Sequence, residues 1–202
     1  MGDALAILGP MQFIRSFLAI PVPAAVQKAV AAAVQRLQHP GDGMKWVPSD
    51  NLHLTLKFLG DVDNRQVPQI CAITRACVAG IIPFEVLFQG ISAFPDPARP
   101  RVVYAAIVDG GEPLTTIVTR LEERLAEVGF KPEPRDYIPH MTLARTRGGS
   151  RRGSPELASA IAAQGNRKLG SMLVDRVLVM ASFLDKEGPT YQVMDTILLG
   201  DS

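Results

Sequence analysis

Two stretches of this chain are nearly the same. One reads Leu52-His53-Leu54-Thr55-Leu56 and the other Pro139-His140-Met141-Thr142-Leu143, with their histidines 140 − 53 = 87 residues apart. The offset reaches further. Phe17 falls on Tyr104, Ala19 on Ala106 and Ile20 on Ile107, in two β-branched and aromatic runs that read as strands. A helical pattern follows each run, Val26, Val30, Ala33, Val34 and Leu37 in one, Leu114, Ile117, Val118, Leu121, Leu125 and Val128 in the other, with Gly129 as the stop. After the first histidine strand, Val67, Ile70, Cys71, Thr74, Cys77 and Val78 predict another helix. At the matching place in the second half, Ser154-Pro155-Glu156 supplies an N-cap and a first-turn proline. Strands are expected at about 84–94, 172–183 and 191–199. One unit used twice, in the order strand, helix, histidine strand, helix, strand, commonly packs about a pseudo-twofold axis. Such an axis brings both histidine strands to a shared centre.

Residues i and i+2 of a strand share a face. His53 therefore points with Thr55, and His140 with Thr142. Histidine is the side chain whose ordinary pKa lies nearest neutrality. Two of them can divide acid and base work in an in-line displacement at phosphorus, one deprotonating the attacking oxygen and the other protonating the leaving oxygen. The two hydroxyls can donate to non-bridging phosphate oxygens. A metal site is the rival reading, but no further His, Cys or carboxylate stands at ligand spacing, so no metal or cofactor is expected. By alternation Lys57 shares the face of His53 and Thr55 and would add positive charge there.

Past the second motif, Arg145, Arg147, Arg151 and Arg152 follow without an acid, among Gly148, Gly149 and Gly153. They read either as phosphate-reaching forks or as a solvated loop. Arg145 is the better candidate, yet strict alternation turns it away from His140, so a strand end or bulge must re-aim it. Trp46 can stack on a base, with core packing the expectation. His39, in Gln38-His39-Pro40-Gly41, reads as a solvated turn residue.

Lys+Arg total 21 against 20 for Asp+Glu, so any recognition of a polyanion must be local. Cys71 and Cys77 carry no metal pattern and read as reduced thiols of a cytoplasmic protein. No apolar run reaches membrane-spanning length. Residues 1–10 lack the basic start and apolar core of a secretion signal and read as an extension. Residues 11–202 read as one bilobal unit of two pseudo-symmetric halves, expected to be a monomer.

The segments Lys45-Trp46-Val47-Pro48, Asn51 through Gly60 and Pro139 through Arg145 resemble the RNA 2',3'-cyclic phosphodiesterases, historically 2'-5' RNA ligases, of the two-histidine phosphoesterase superfamily. Phe94-Pro95 through Val102 and Phe17-Leu18-Ala19-Ile20 fit as well. One His-x-Thr is a weak pattern, whereas the pair with matching flanks is specific. The resemblance implies an α+β bilobal duplicated fold, with two antiparallel sheets around a central cleft and helices outside. It implies metal-free hydrolysis of an RNA terminal 2',3'-cyclic phosphate to a 2'-phosphate, with reverse 2'-5' ligation open to the same site. On the family pattern His53 is the proton donor, His140 the acceptor, and Thr55 and Thr142 hold the phosphate. The RNA partner would be a tRNA-like fragment. Two alternatives stay open: a phosphodiesterase for small cyclic nucleotide phosphates or 2'-5' oligoadenylate, and a nucleotide- or RNA-binding module without turnover.

Overall fold

Each apolar stripe in the sequence becomes the buried side of an element. The computed structural model describes residues 12–147, 154–184 and 188–200. The extension read at residues 1–10 lies outside them, as do Gly148, Gly149, Arg151, Arg152 and Gly153. The chain runs β1 (Phe13–Pro21), α1 (Ala24–Val34), β2 (Met44–Trp46), β3 (His53–Asp63), α2 (Val67–Val78), β4 (Phe84–Phe94), β5 (Val102–Asp109), α3 (Gly111–Ala126), β6 (His140–Thr146), α4 (Pro155–Ala162), β7 (Lys168–Val174), β8 (Arg176–Leu184) and β9 (Pro189–Leu198).

The helices behave as their patterns predict. Val26, Val30 and Ala33 of α1 are buried, as are Leu114, Ile117, Val118, Leu121 and Leu125 of α3. Gly129 ends the third helix with φ 95°, a value open to glycine at little cost. The Ser154 hydroxyl accepts from the Leu157 amide at 3.1 Å and caps α4. Leu54, Leu56, Met141 and Leu143 join the helices in one core, which leaves the opposite faces of β3 and β6 to the histidines.

The strands pair antiparallel in the order β7-β4-β5-β6-β3-β1-β8-β9, with β2 on β6. The two expected sheets are thus continuous. Their junction is narrow: β3 and β6 pair at Leu54 and Met141. The expected strand at 172–183 is two strands. Asp175 separates β7 from β8, its carboxylate gripped by Arg176 through two 2.7 Å bonds. The chain there leaves β4 and joins β1 across a single residue, so the sheet must curl.

Candidate active site

Leu54 and Met141 are themselves 141 − 54 = 87 residues apart, so the strand junction lies on the repeat. Extending this antiparallel register by one residue sets His53 opposite Thr142 and Thr55 opposite His140. Directly opposed side chains on one face have Cβ atoms about 5 Å apart. The four residues form a compact quartet on the helix-free face, each half-buried.

Both histidines are oriented in the same way. His53 Nδ1 donates to the Asn51 carbonyl at 2.7 Å, and His140 Nδ1 donates to the Ile138 carbonyl at 2.7 Å. In each case the partner is the residue two places earlier. The bond fixes the tautomer and leaves Nε2 as the proton-accepting atom. Burial holds both imidazoles below the usual 6.5. The carbonyl bonds oppose that shift, and the Arg145 charge adds to it at both sites.

Arg145 reaches the site through the re-aiming that its position required. Between Tyr104↔Thr142 and Val103↔Ala144 the strand β6 holds one extra residue, Leu143. Arg145 then pairs with Val102, two residues from Tyr104 and on the same face. An equivalent bulge lies at Leu56, between Ala19↔Thr55 and Leu18↔Lys57, and 143 − 56 = 87. This second bulge overturns the reading of Lys57. It pairs with buried Leu18 and faces the core, 1% exposed, where its ammonium donates to Glu122 Oε2 at 2.7 Å and the Lys131 carbonyl at 3.1 Å. Lys57 contributes nothing to the open face. Phe58 takes the place that alternation gave to Lys57, opposite Phe17 and 52% exposed.

A set of aromatic rings walls the quartet. His53 lies 5.0 Å from Phe17 and edge-on to Tyr191 at 5.4 Å. His140 lies edge-on to Tyr104 at 5.4 Å and to Phe94 at 5.2 Å. Sequence reasoning used Phe17 and Tyr104 as strand markers and missed their contact with the histidines. Their spacing held a signal, since 104 − 17 and 191 − 104 are both 87. The Tyr137 hydroxyl donates to the Thr55 carbonyl at 3.3 Å and ties the segment entering β6 to β3.

Other expected residues sit elsewhere. Trp46 packs against the core and donates from Nε1 to the buried Asp42 carboxylate at 2.7 Å. Arg147 donates to the Met44 carbonyl and, with Trp46, lines a separate concavity of about 470 Å³. His39 is not a free turn residue. Its ring bridges the Leu37 carbonyl and the Ser154 hydroxyl, at 3.2 and 2.8 Å, and so braces the α4 cap. The two cysteines are buried thiols, and burial pushes Cys71 up to about 11, with Asp195 adding to the shift. Among the described residues no three His, Cys, Asp or Glu side chains converge as metal ligands, and no helix is long and apolar enough to cross a membrane.

Two His-x-Thr strands meeting on the open face of an antiparallel sheet define a two-histidine phosphoesterase. The sequence profile of the family described as LigT-like phosphoesterase matches the chain twice, over residues 20–104 and 108–191, and the chain belongs to that family. The two matches end 191 − 104 = 87 residues apart, the offset of the histidines. An RNA 2',3'-cyclic phosphodiesterase of Methanothermobacter thermautotrophicus is 34% identical over 92% of this chain and 99% of its own. One from Aeropyrum pernix is 34% identical over 78% of this chain and 88% of its own. The crystal structure of TT0787 of Thermus thermophilus superposes with a TM-score of 0.77 at 26% identity, covering 94% of this chain and all of that one.

Proposed function

We propose that this protein hydrolyses the 2',3'-cyclic phosphate at an RNA end to a 2'-phosphate, with His53 as general acid and His140 as general base. The observation that carries the reading is the Leu54–Met141 register, which gathers two identically oriented imidazoles and two hydroxyls on one open face. The names of the relatives, RNA 2',3'-cyclic phosphodiesterases that align over nearly their whole length, support the substrate class.

In this reaction His140 Nε2 takes a proton from water as the water oxygen bonds to phosphorus. The bond from phosphorus to O3' breaks, and O3' receives the proton carried by His53 Nε2. The phosphate stays on O2', and solvent exchange returns both imidazoles to their starting states. Thr55, Thr142 and Arg145 offer donors to the non-bridging oxygens, on which negative charge is concentrated. Burial beside aromatic rings favours neutral imidazoles, which suits the base. The substrate's negative charge favours the protonated acid. The division of roles follows the family resemblance. An RNA 5'-hydroxyl in the place of the leaving oxygen would make the reverse reaction a 2'-5' ligation.

The reading includes turnover without metal, for which the absence of a three-ligand cluster among the described residues is support. It also takes a tRNA-like fragment as the RNA and a monomer in the cytoplasm as the acting form, with free thiols in keeping with a reducing compartment. The test is an RNA ending in 2',3'-cyclic phosphate, incubated with protein in EDTA, with 2'- and 3'-phosphate products resolved. A 2'-phosphate is expected. A 3'-phosphate product or a requirement for added metal would refute it.

A further inference from the structure

The chemistry above leaves one polar group at the quartet without a task, the phenol of Tyr191. Strand β9 places its ring between two neighbours, edge-on to His53 at 5.4 Å and edge-on to Phe17 at 5.1 Å. Two contacts of this kind fix a ring and with it the direction of its oxygen. The residue is half-buried, and among the described residues its hydroxyl makes no hydrogen bond. A tyrosine packed into a wall ordinarily finds a partner for its hydroxyl, since an unmet donor in a desolvated site is costly.

The surroundings indicate what that partner is. The Tyr191 oxygen and the Arg145 guanidinium interact electrostatically, each altering the titration of the other. Arg145 comes from β6 and Tyr191 from β9, which belong to opposite sides of the β3–β6 junction. Their approach therefore spans the cleft. Arg145 also acts on both imidazoles, so the phenol shares a neighbourhood with the cation and the proposed acid. Burial raises the phenol pKa more than the arginine lowers it. The group is thus a neutral donor at neutral pH, suited to an anionic oxygen.

We propose that Tyr191 is a further catalytic residue, whose hydroxyl donates a hydrogen bond to a non-bridging oxygen of the phosphodiester beside Arg145. The proposal rests on the cyclic phosphodiesterase reading and deepens it by adding a donor from the far end of the sheet. The bond strengthens as charge collects on the equatorial oxygens in the transition state, so its effect falls on the reaction rate as well as on binding. No proton leaves the phenol, and the bonds made and broken at phosphorus are unchanged.

The variant Tyr191→Phe removes one oxygen and keeps the ring against His53 and Phe17. With an RNA ending in 2',3'-cyclic phosphate, kcat/KM should fall about tenfold or more, as for a lost hydrogen bond to a charged group. The melting temperature should stay at the wild-type value. Combined with Arg145→Gln, the loss should be smaller than the product of the two single losses, because both groups serve the same oxygens. A kcat/KM within twofold of wild type, or a strictly multiplicative double variant, would overturn the role while leaving the phosphodiesterase reading intact. Absence of turnover by the wild type would overturn that reading and the proposal with it.

Discussion

Arg145 stands five residues after His140, as Phe58 stands five residues after His53, and equivalent bulges turn both towards the histidine face. One half of the repeat thus presents a guanidinium where the other presents an exposed ring. The quartet is close to symmetric in its protein contacts, so this exchange is where the halves diverge chemically. The cation sits where it acts on both imidazoles at once.

The pH profile reads out that placement. Both histidines are held below 6.5 in the free protein. The base must be neutral and the acid protonated, so kcat/KM should peak between the two depressed values, below pH 6.5. Arg145→Gln removes a charge that lowers both. Both limbs should then move to higher pH together, while the maximum itself falls by about tenfold or more through the lost phosphate contact. Rates measured across pH for the two proteins check this. A shift of one limb alone, or towards lower pH, would contradict it.

Alternation misplaces Lys57, and the reason is general. A strand pattern gives the face of each residue until a bulge adds one, after which every later side chain changes sides. Leu56 and Leu143 carry no marker of a bulge in their residue type. The histidines precede the bulges, so their pairing with Thr55 and Thr142 is legible in the sequence, as are the helices and the repeat. Val174-Asp175-Arg176 hides a crossing between the two sides of the sheet because the apolar run continues on both sides of it. His39 reads as solvated from its turn neighbours alone. Its partner Ser154 lies 115 positions away, beyond any local pattern. The aromatic wall is present in the spacing of 17, 104 and 191 but needs the sheet order to show which ring meets which histidine.

The corrected place of Lys57 yields its own expectation. The ammonium is fully buried against Glu122, whose Oε2 also accepts from the Glu133 amide at 3.2 Å. Lys57→Met should destabilise the fold by about 3 kcal/mol, because it strands a largely buried carboxylate. Adding Glu122→Leu should recover much of that stability. Denaturant titration of the single and double variants decides between this and a surface role, for which neither change would matter.

Ser154 holds two partners, the Leu157 amide and the His39 ring. Ser154→Ala should cost about 1 kcal/mol as a lost helix cap. His39→Ala should cost part of the same amount, and the double variant less than the sum, since the two groups share one bond. Additive losses in thermal melts would show that His39 does not brace the cap.

The central claim is that two imidazoles, brought together at the Leu54–Met141 junction, divide acid and base work on a cyclic phosphate. The most direct measurement is turnover of an RNA ending in 2',3'-cyclic phosphate by wild type, His53→Ala and His140→Ala, with circular dichroism to confirm folding. Each imidazole removed should cost about a hundredfold or more in rate, with wild type yielding the 2'-phosphate. A folded His53→Ala or His140→Ala variant that turns over at the wild-type rate would contradict the account.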